Sequence, residues 1–184
     1  MKFEEKTLNS ECVYKGKVLE VYRDEVEISD GHRSFREVVK HSGGVVIAAI
    51  KNVNQILDEP VLLLVKQYRY PIGKAVFELP AGKLEKGENP DFACKRELEE
   101  ETGYQAKKWK SLGYINTSQG FCNEKLYLYC ATELEYAGKH PDEGEIIQAY
   151  EFKLSQVKEM ILNGEINDAK TICAIHRALN GTEL

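Results

Sequence analysis

The stretch GKLEKGENPDFACKRELEEETGY, from Gly82 to Tyr104, contains six glutamates, three of them consecutive. Residues three or four positions apart share one face of a helix, so Glu97, Glu100 and Glu101 would lie together. Like charges placed this way repel one another unless a positive charge lies against them. A hard divalent cation can supply that charge, since Mg2+ binds a few carboxylates and keeps waters for a phosphate substrate.

The spacing of this stretch is more informative than its acidity. A run of glutamates is usually a hydrated helix surface, and composition alone favours that interpretation. Here, however, the glutamates belong to a longer pattern. It consists of a glycine, five residues, a glutamate, seven residues and then Arg-Glu-Leu-any-Glu-Glu-any-Gly. This pattern is far more specific than a single glycine-rich turn. The fixed positions are Gly82, Glu88, Arg96, Glu97, Leu98, Glu100, Glu101 and Gly103.

The elements that must position these residues can be predicted from the flanking sequence. Asn89 and Pro90 are typical of a helix N-terminus and Gly103 of a C-terminus, which predicts a helix between them. The apolar runs at residues 45–50 and 61–65 predict strands buried on both faces. Further strands are predicted at WKSLGYINTS, at KLYLYCATEL and at VFELPAG, the last of which stops at Pro80 and Gly82. The sequence also predicts a loop or hairpin at KNVNQILDEP and amphipathic helices at SQVKEMILNGEI and DAKTICAIHRALN.

The N-terminal part of the chain has a different pattern. Residues 11–39 alternate polar and apolar side chains around the turn signal DGHR, which predicts short antiparallel strands. The sequence HSGG ends this pattern. We therefore predict an N-terminal β segment at residues 1–41 and a main domain at residues 42–184.

Composition argues against several classes of function. The 184 residues are 42% hydrophobic with a net charge of -5, which suits a globular domain, and no Lys/Arg-rich run suggests nucleic-acid binding. The N-terminus lacks the apolar region of a signal peptide, and no apolar run is long enough to span a membrane. Five widely spaced cysteines without a Cys-x-x-Cys pair predict reduced thiols in a cytoplasmic protein and argue against zinc.

The spacing from Gly82 to Gly103 resembles the sequence box of the Nudix hydrolase family. The last position of that box is normally aliphatic and is Tyr104 here, a difference that concerns packing rather than chemistry. The resemblance implies an α/β/α sandwich around a mixed sheet and hydrolysis of a nucleoside diphosphate linked to another moiety. It further implies Mg2+, with Mn2+ as an alternative. The implied metal ligands are Glu97, Glu101 and the carbonyl of Ala81, with Glu100 acting directly or through a bound water.

Most of the chain also resembles the ADP-ribose pyrophosphatase subfamily, in stretches such as REVVKHSGGVVIAAI, LLVKQYRYPIGKAVFELPAGKLEKGE and SQGFCNEKLYLY. This implies hydrolysis of ADP-ribose to AMP and ribose 5-phosphate by a homodimer, in which residues 1–41 reach over the partner subunit. It also implies substrate contacts by Arg36 and Arg69, because a guanidinium grips phosphate at two points. Without the resemblance, each would be interpreted as an exposed strand arginine.

Further substrate contacts are implied by the same resemblance. An aromatic residue followed by lysine would lie near the base, and a glutamate in FELPAG is either a ligand-binding carboxylate or a strand-end charge. Gln119 stands where the subfamily usually carries proline, which weakens ADP-ribose relative to a nucleotide sugar such as GDP-mannose or a dinucleotide. The additional candidates are Tyr14, Lys15, Glu78, Gly120 and Phe121.

The general base is expected outside the box, in the acidic loop PDEGEII. We predict Glu143 as the base that activates water and Glu145 as an additional metal contact, although composition alone indicates only a polar hairpin. Glu100 and Arg96 complete the catalytic candidates, Arg96 by holding a carboxylate such as Glu88 or Glu100 in one rotamer. The competing hypothesis is a non-catalytic, nucleotide-sensing Nudix-like domain. Such domains typically lose box glutamates, and these are present here.

Overall fold

A computed structural model describes residues 3–51, 59–138 and 146–180 of the chain. The chain divides into two compact units. One contains the described residues up to Gly43 together with Asn116–Lys125, and the other contains Gly44–Ile115 and the residues from Leu126 onward. Most of the predicted KNVNQILDEP loop lies outside the described residues, as does most of PDEGEII. None of the helices in the described ranges has the length and apolar character needed to cross a membrane.

The first unit is built on an antiparallel sheet of three strands in the order β1-β2-β3. The strands are β1 (Glu5–Lys15), β2 (Leu19–Ile28) and β3 (Arg33–His41). The antiparallel strands predicted around DGHR are therefore confirmed, although the sheet begins before residue 11. Residues 116–125 join β3, because Val39 donates its N–H to the Phe121 carbonyl at 2.7 Å and accepts from Asn123 at 3.1 Å. The predicted division at residues 41 and 42 stays a prediction.

The second unit contains a mixed sheet of seven strands. The order is β10-β5-β4-β9-β8, with β6 paired to β5 and β7 paired to β4. Strand β4 runs parallel to β9 and antiparallel to β5 and β7. The strands are β4 (Gly44–Lys51), β5 (Val61–Arg69), β6 (Lys74–Glu78), β7 (Ala81–Lys83), β8 (Tyr104–Asn116), β9 (Lys125–Tyr136) and β10 (Ile147–Lys153).

Helices cover both faces of this sheet. They are α1 (Pro90–Thr102), α2 (Leu154–Leu162) and α3 (Ala169–Asn180). Alternate residues of β4 point to opposite sides, so Val46 packs in one core cluster with Val157 of α2 and Ala174 of α3. Ile47 packs in the other cluster with Leu98 of α1. The predicted α/β/α sandwich with buried central strands is confirmed.

Helix α1 has the ends that its sequence predicted. The Asn89 side chain accepts the N–H of Asp91 at 2.9 Å, and Pro90 occupies the first turn. Gly103 ends the helix at φ 77°, in the left-handed region, and donates its N–H to the Glu99 carbonyl. Both helix ends are therefore fixed by local chemistry, which places the box carboxylates along a defined face.

The strand predicted at VFELPAG breaks at Pro80, one of its two predicted stops. Strand β6 ends at Glu78, and β7 resumes at Ala81 beside β4. Between them the Pro80 carbonyl accepts the N–H of Ile47 at 2.9 Å, while Pro80 itself has no N–H to donate to a ladder. At this break the chain stops pairing with β5 and begins to pair with β4. The change of partner brings Ala81 and Gly82 against α1.

Candidate active site

Arg96 lies among three carboxylates of the box. Its Nε is 3.1 Å from Glu88 Oε1, and its Nη1 is 2.9 Å from Glu97 Oε1 and 2.8 Å from Glu100 Oε2. The predicted pairing with Glu88 and Glu100 is thus observed, and Glu97 is an additional partner. The hydrogen bond from Arg96 is the main cause that holds the pKa of Glu88 below its ordinary value. Arg96 therefore fixes the rotamers of the box carboxylates while offsetting part of their repulsion.

Two other carboxylate contacts join α1 to β7. Glu101 is buried, and its Oε2 accepts the N–H of Ala81 at 3.0 Å. The Glu97 carboxylate lies directly over Gly82, where a Cβ would stand only 1.8 Å from its Cδ. Glycine at position 82 therefore leaves the space in which this carboxylate lies, and a larger residue would displace the carboxylate.

The donor set at this junction fits a hard cation. Among the residues that the structure describes, no three acidic, histidine or cysteine side chains are already gathered as a metal site. The chemistry of the donors is nevertheless suitable, since several carboxylate oxygens face one guanidinium and leave negative charge in excess. Glu97, Glu100, Glu101 and the carbonyl of Ala81 are the groups that would hold Mg2+. Their individual roles stay predictions.

A second polar cluster lies at the ends of β5 and β6. Arg69 binds Glu78 through both arms of its fork, with Nε–Oε1 and Nη2–Oε2 distances of 2.7 Å. Glu78 also accepts from Lys170 of α3, whose Nζ is 2.9 Å from Asp168 Oδ2. Burial opposes ionisation of Glu78, but Arg69 and Lys170 outweigh it and lower the pKa of this carboxyl.

The second cluster lies close to the box. The bond to Glu78 is the main cause that raises the pKa of Arg69, and the charge of Glu101 adds to it. Thr171 of α3 is fully buried, and its Oγ1 accepts the N–H of Leu79 at 2.9 Å. The segment from Glu78 to Ala81 is therefore held by α3 on one side and by the box helix on the other.

The sequence reasoning missed the contribution of α3 to this cluster. It predicted DAKTICAIHRALN as an amphipathic helix and assigned no site residue to it. Lys170 stands 92 positions from Glu78, and polar residues such as Asp168 and Thr171 are ordinary at a helix start. No local signal could have indicated this contact.

Comparison with known proteins decides the family. The model of the NUDIX domain matches residues 41–175 of the chain. The chain belongs to the Nudix hydrolase family. It is 41% identical to the ADP-ribose pyrophosphatase of Bacillus subtilis (strain 168), over 94% of this chain and 91% of that protein. It is also 41% identical to the methanol dehydrogenase activator of Bacillus methanolicus, again over 94% and 91%. A crystal structure of an ADP compounds hydrolase shares the fold, with a TM-score of 0.80 at 21% identity, covering 95% of this chain and 92% of that one.

Several predicted substrate residues of this Nudix hydrolase belong to the first unit. Arg36 donates from Nε to Glu5 Oε2 at 2.9 Å, a contact between β3 and β1. Lys15 pairs with Glu20 at 2.9 Å, and the ring of Tyr14 is exposed. Each side chain thus has a place in the N-terminal sheet, and its contact with substrate stays a prediction.

Two of the remaining predicted residues, Gly120 and Phe121, lie between β8 and β9. Phe121 is exposed in the segment that joins β3, and no atom lies within 4 Å of a Cβ added at the neighbouring Gly120. Glu143 and Glu145 lie outside the described residues. Their assignments as general base and additional metal contact therefore rest on the sequence alone.

Proposed function

We propose that this Nudix hydrolase cleaves the pyrophosphate of ADP-ribose to give AMP and ribose 5-phosphate, with Mg2+ as cofactor. The observation that carries the proposal is 41% identity over nearly the whole chain to an ADP-ribose pyrophosphatase. The intact box supports catalysis rather than sensing alone, because Glu97, Glu100 and Glu101 are all present around Arg96.

The box residues would hold the metal and orient its ligands. Glu97, Glu100, Glu101 and the Ala81 carbonyl would hold Mg2+, which when bound supplies the positive charge that a pyrophosphate needs before water can attack. Arg96 holds Glu97 and Glu100 in fixed rotamers, so the carboxylates are already oriented.

Arg69 would orient the substrate by gripping a phosphate, and Glu78 holds its guanidinium in place. Water adds to one phosphorus, and the bridging oxygen leaves with the other phosphate. Glu143 is the group predicted to take the proton from that water.

The test is a substrate panel with purified protein. ADP-ribose is incubated with Mg2+ beside GDP-mannose, NADH and diadenosine polyphosphates, and the product nucleotides are separated by chromatography. We expect AMP from ADP-ribose, lost on addition of EDTA and in Glu101→Gln. Glu99→Gln is the matched control, since this neighbouring glutamate occupies a free position of the box, and it should keep activity. Preferential turnover of another substrate would refute the ADP-ribose assignment and retain the pyrophosphatase chemistry.

A second candidate function is regulation of a partner enzyme. The observation in its favour is the equal identity, 41%, to a protein named methanol dehydrogenase activator. The test adds the purified protein to a methanol dehydrogenase assay, once as wild type and once as Glu101→Gln. Stimulation by wild type but not by the variant would mean that regulation uses the same hydrolytic site. No stimulation would remove this candidate.

We also propose that the protein is a homodimer formed through its N-terminal sheet. Strand β1 is exposed along its whole length and carries exposed apolar side chains, among them Val13 and Leu8. Such side chains are typical of a surface that a partner covers. Sedimentation equilibrium should give a dimer mass for wild type and a monomer mass for Val13→Glu. A monomeric wild type would refute the proposal.

A further inference from the structure

The Arg69–Glu78–Lys170 cluster is graded in exposure. Glu78 is 3% exposed, Lys170 is 14% exposed and Arg69 is 38% exposed. The buried carboxylate thus holds two cations, of which the arginine is the more accessible. Arg69 is therefore the cation of this cluster that an anionic ligand can reach more easily.

Arg69 has donors left after it binds Glu78. The two bonds to Glu78 use Nε and Nη2, so Nη1 takes part in neither of them. A guanidinium with one edge fixed by a carboxylate offers its remaining N–H groups in a defined direction. The orientation of this free edge is therefore set by the plane of the Glu78 carboxylate.

Lys170 acts on that carboxylate. Glu78 Oε2 accepts from both Lys170 Nζ and Arg69 Nη2, so the position of this oxygen depends on both cations. Lys170 is itself anchored, because its Nζ also binds Asp168 Oδ2, and that same oxygen accepts the N–H of Thr171 at 3.0 Å. The first turn of α3 is thus linked through Lys170 and Glu78 to Arg69.

We propose that Lys170 is a positioning residue for substrate binding, which acts through Glu78 to orient Arg69 toward a substrate phosphate. This rests on the proposed function, which makes Arg69 a substrate contact. Two physical effects combine. Lys170 fixes the rotation of the Glu78 carboxylate, and it shares the negative charge of Glu78, so more of the positive charge of Arg69 remains available to the ligand.

A purely structural role explains less of the arrangement. Buried ion pairs contribute little net stability, because desolvation offsets their attraction. Glu78 and Asp168 together balance the charges of Lys170 and Arg69, so charge alone does not explain why Arg69 lies at the accessible end. The exposure of Arg69 and the Nη1 that Glu78 does not use point to a ligand.

The test measures ADP-ribose binding in EDTA, where hydrolysis cannot proceed, by isothermal titration calorimetry. Lys170→Met is expected to weaken binding about tenfold, equal to about 1.4 kcal/mol. It should raise KM by a similar factor and change kcat much less, while Lys170→Arg should restore most of the affinity. Lys51→Met is the matched control, since Lys51 pairs with Glu151 at 2.8 Å in the same unit, and its affinity should stay within twofold of wild type.

A double-mutant cycle separates positioning from structure. In an Arg69→Met background, Lys170→Met should cause no further loss of affinity, because there is no guanidinium left to orient. Equal losses in both backgrounds would overturn the proposal, as would a lower melting temperature with unchanged affinity. If wild-type protein hydrolyses ADP-ribose and Lys170→Met binds it with normal affinity, the role of Lys170 is refuted and the proposed function stands. Wild-type protein that neither binds nor hydrolyses ADP-ribose refutes both.

Discussion

Because Gly82 lies against Glu97, a substitution at Gly82 can displace a box carboxylate while every charged group of the box is kept. In Gly82→Ala, the new Cβ would stand 1.8 Å from both Cδ and Oε1 of the Glu97 carboxylate. The carboxylate must retreat by about 1.6 Å to reach the ordinary contact distance of 3.4 Å. Since Glu97 is a flexible side chain, the carboxylate moves and the backbone does not.

The expected loss of activity follows from this displacement. A misplacement of about 1 Å in a catalytic site can cost about 100-fold in rate. We therefore expect kcat/KM to fall by at least about 100-fold, or about 2.7 kcal/mol in transition-state stabilisation.

Stability should change little in the same variant. Gly82 does not have a positive φ, so alanine fits its backbone and gains about 0.4–1 kcal/mol by restricting the unfolded chain. Weakening the Glu97–Arg96 pair costs about 0.2–1 kcal/mol in the opposite direction. The free energy of unfolding should therefore stay within about 1 kcal/mol of wild type.

The assay compares kcat/KM for ADP-ribose with urea denaturation of the same preparations. Gly164→Ala is the control in which the two effects are reversed, since stability should fall and activity should not. Its φ is 80° and no atom lies within 4 Å of an added Cβ, so it should lose about 1 kcal/mol of stability and keep its activity. In a Glu97→Ala background, Gly82→Ala should cause no further loss. Gly82→Ala with more than a tenth of wild-type kcat/KM would refute the reasoning.

The remaining predictions concern the box helix and its charges. Leu98→Ala should lower the free energy of unfolding by about 2–5 kcal/mol in urea denaturation, because Leu98 is fully buried; a loss below 1 kcal/mol would contradict its core position. Asn89→Ala should cost about 1 kcal/mol through loss of the N-cap, and Asn89→Asp should not. Arg96→Met should destabilise at neutral pH. Because Arg96 lowers the pKa of Glu88 in the folded protein, this stabilisation is present above the unfolded pKa and is lost as pH falls through the folded pKa, so the two stabilities should converge in acid. A pH-independent difference would contradict that assignment.

The box helix could be predicted from sequence because its determinants are local. The Asn89 cap, the proline after it and the left-handed Gly103 all act within a few residues of the helix ends. The helical period then places Glu97, Glu100 and Glu101 on one face without knowledge of the rest of the chain. The buried strand β4 could also be predicted from sequence, because a strand covered on both faces is apolar throughout.

The stop at Pro80 could be predicted from the sequence, but the contacts that hold the break between β6 and β7 could not, because they join residues distant in sequence. The N–H of Leu79 is satisfied by Thr171 and the carbonyl of Pro80 by Ile47, and neither partner is known before the sheet order is known. The same non-local contacts connect Lys170 to Glu78, which explains why the α3 contribution was missed.

The repulsion among the neighbouring glutamates can be offset in two ways in this protein. Arg96 is one source of positive charge, since it binds Glu88, Glu97 and Glu100 without any metal. One guanidinium carries a single positive charge, however, against three carboxylates and the buried Glu101 beside them. Arg69 attracts Glu101, but its two hydrogen bonds go to Glu78. The excess negative charge at the junction of α1 and β7, more than the presence of glutamates, is what favours a divalent cation here.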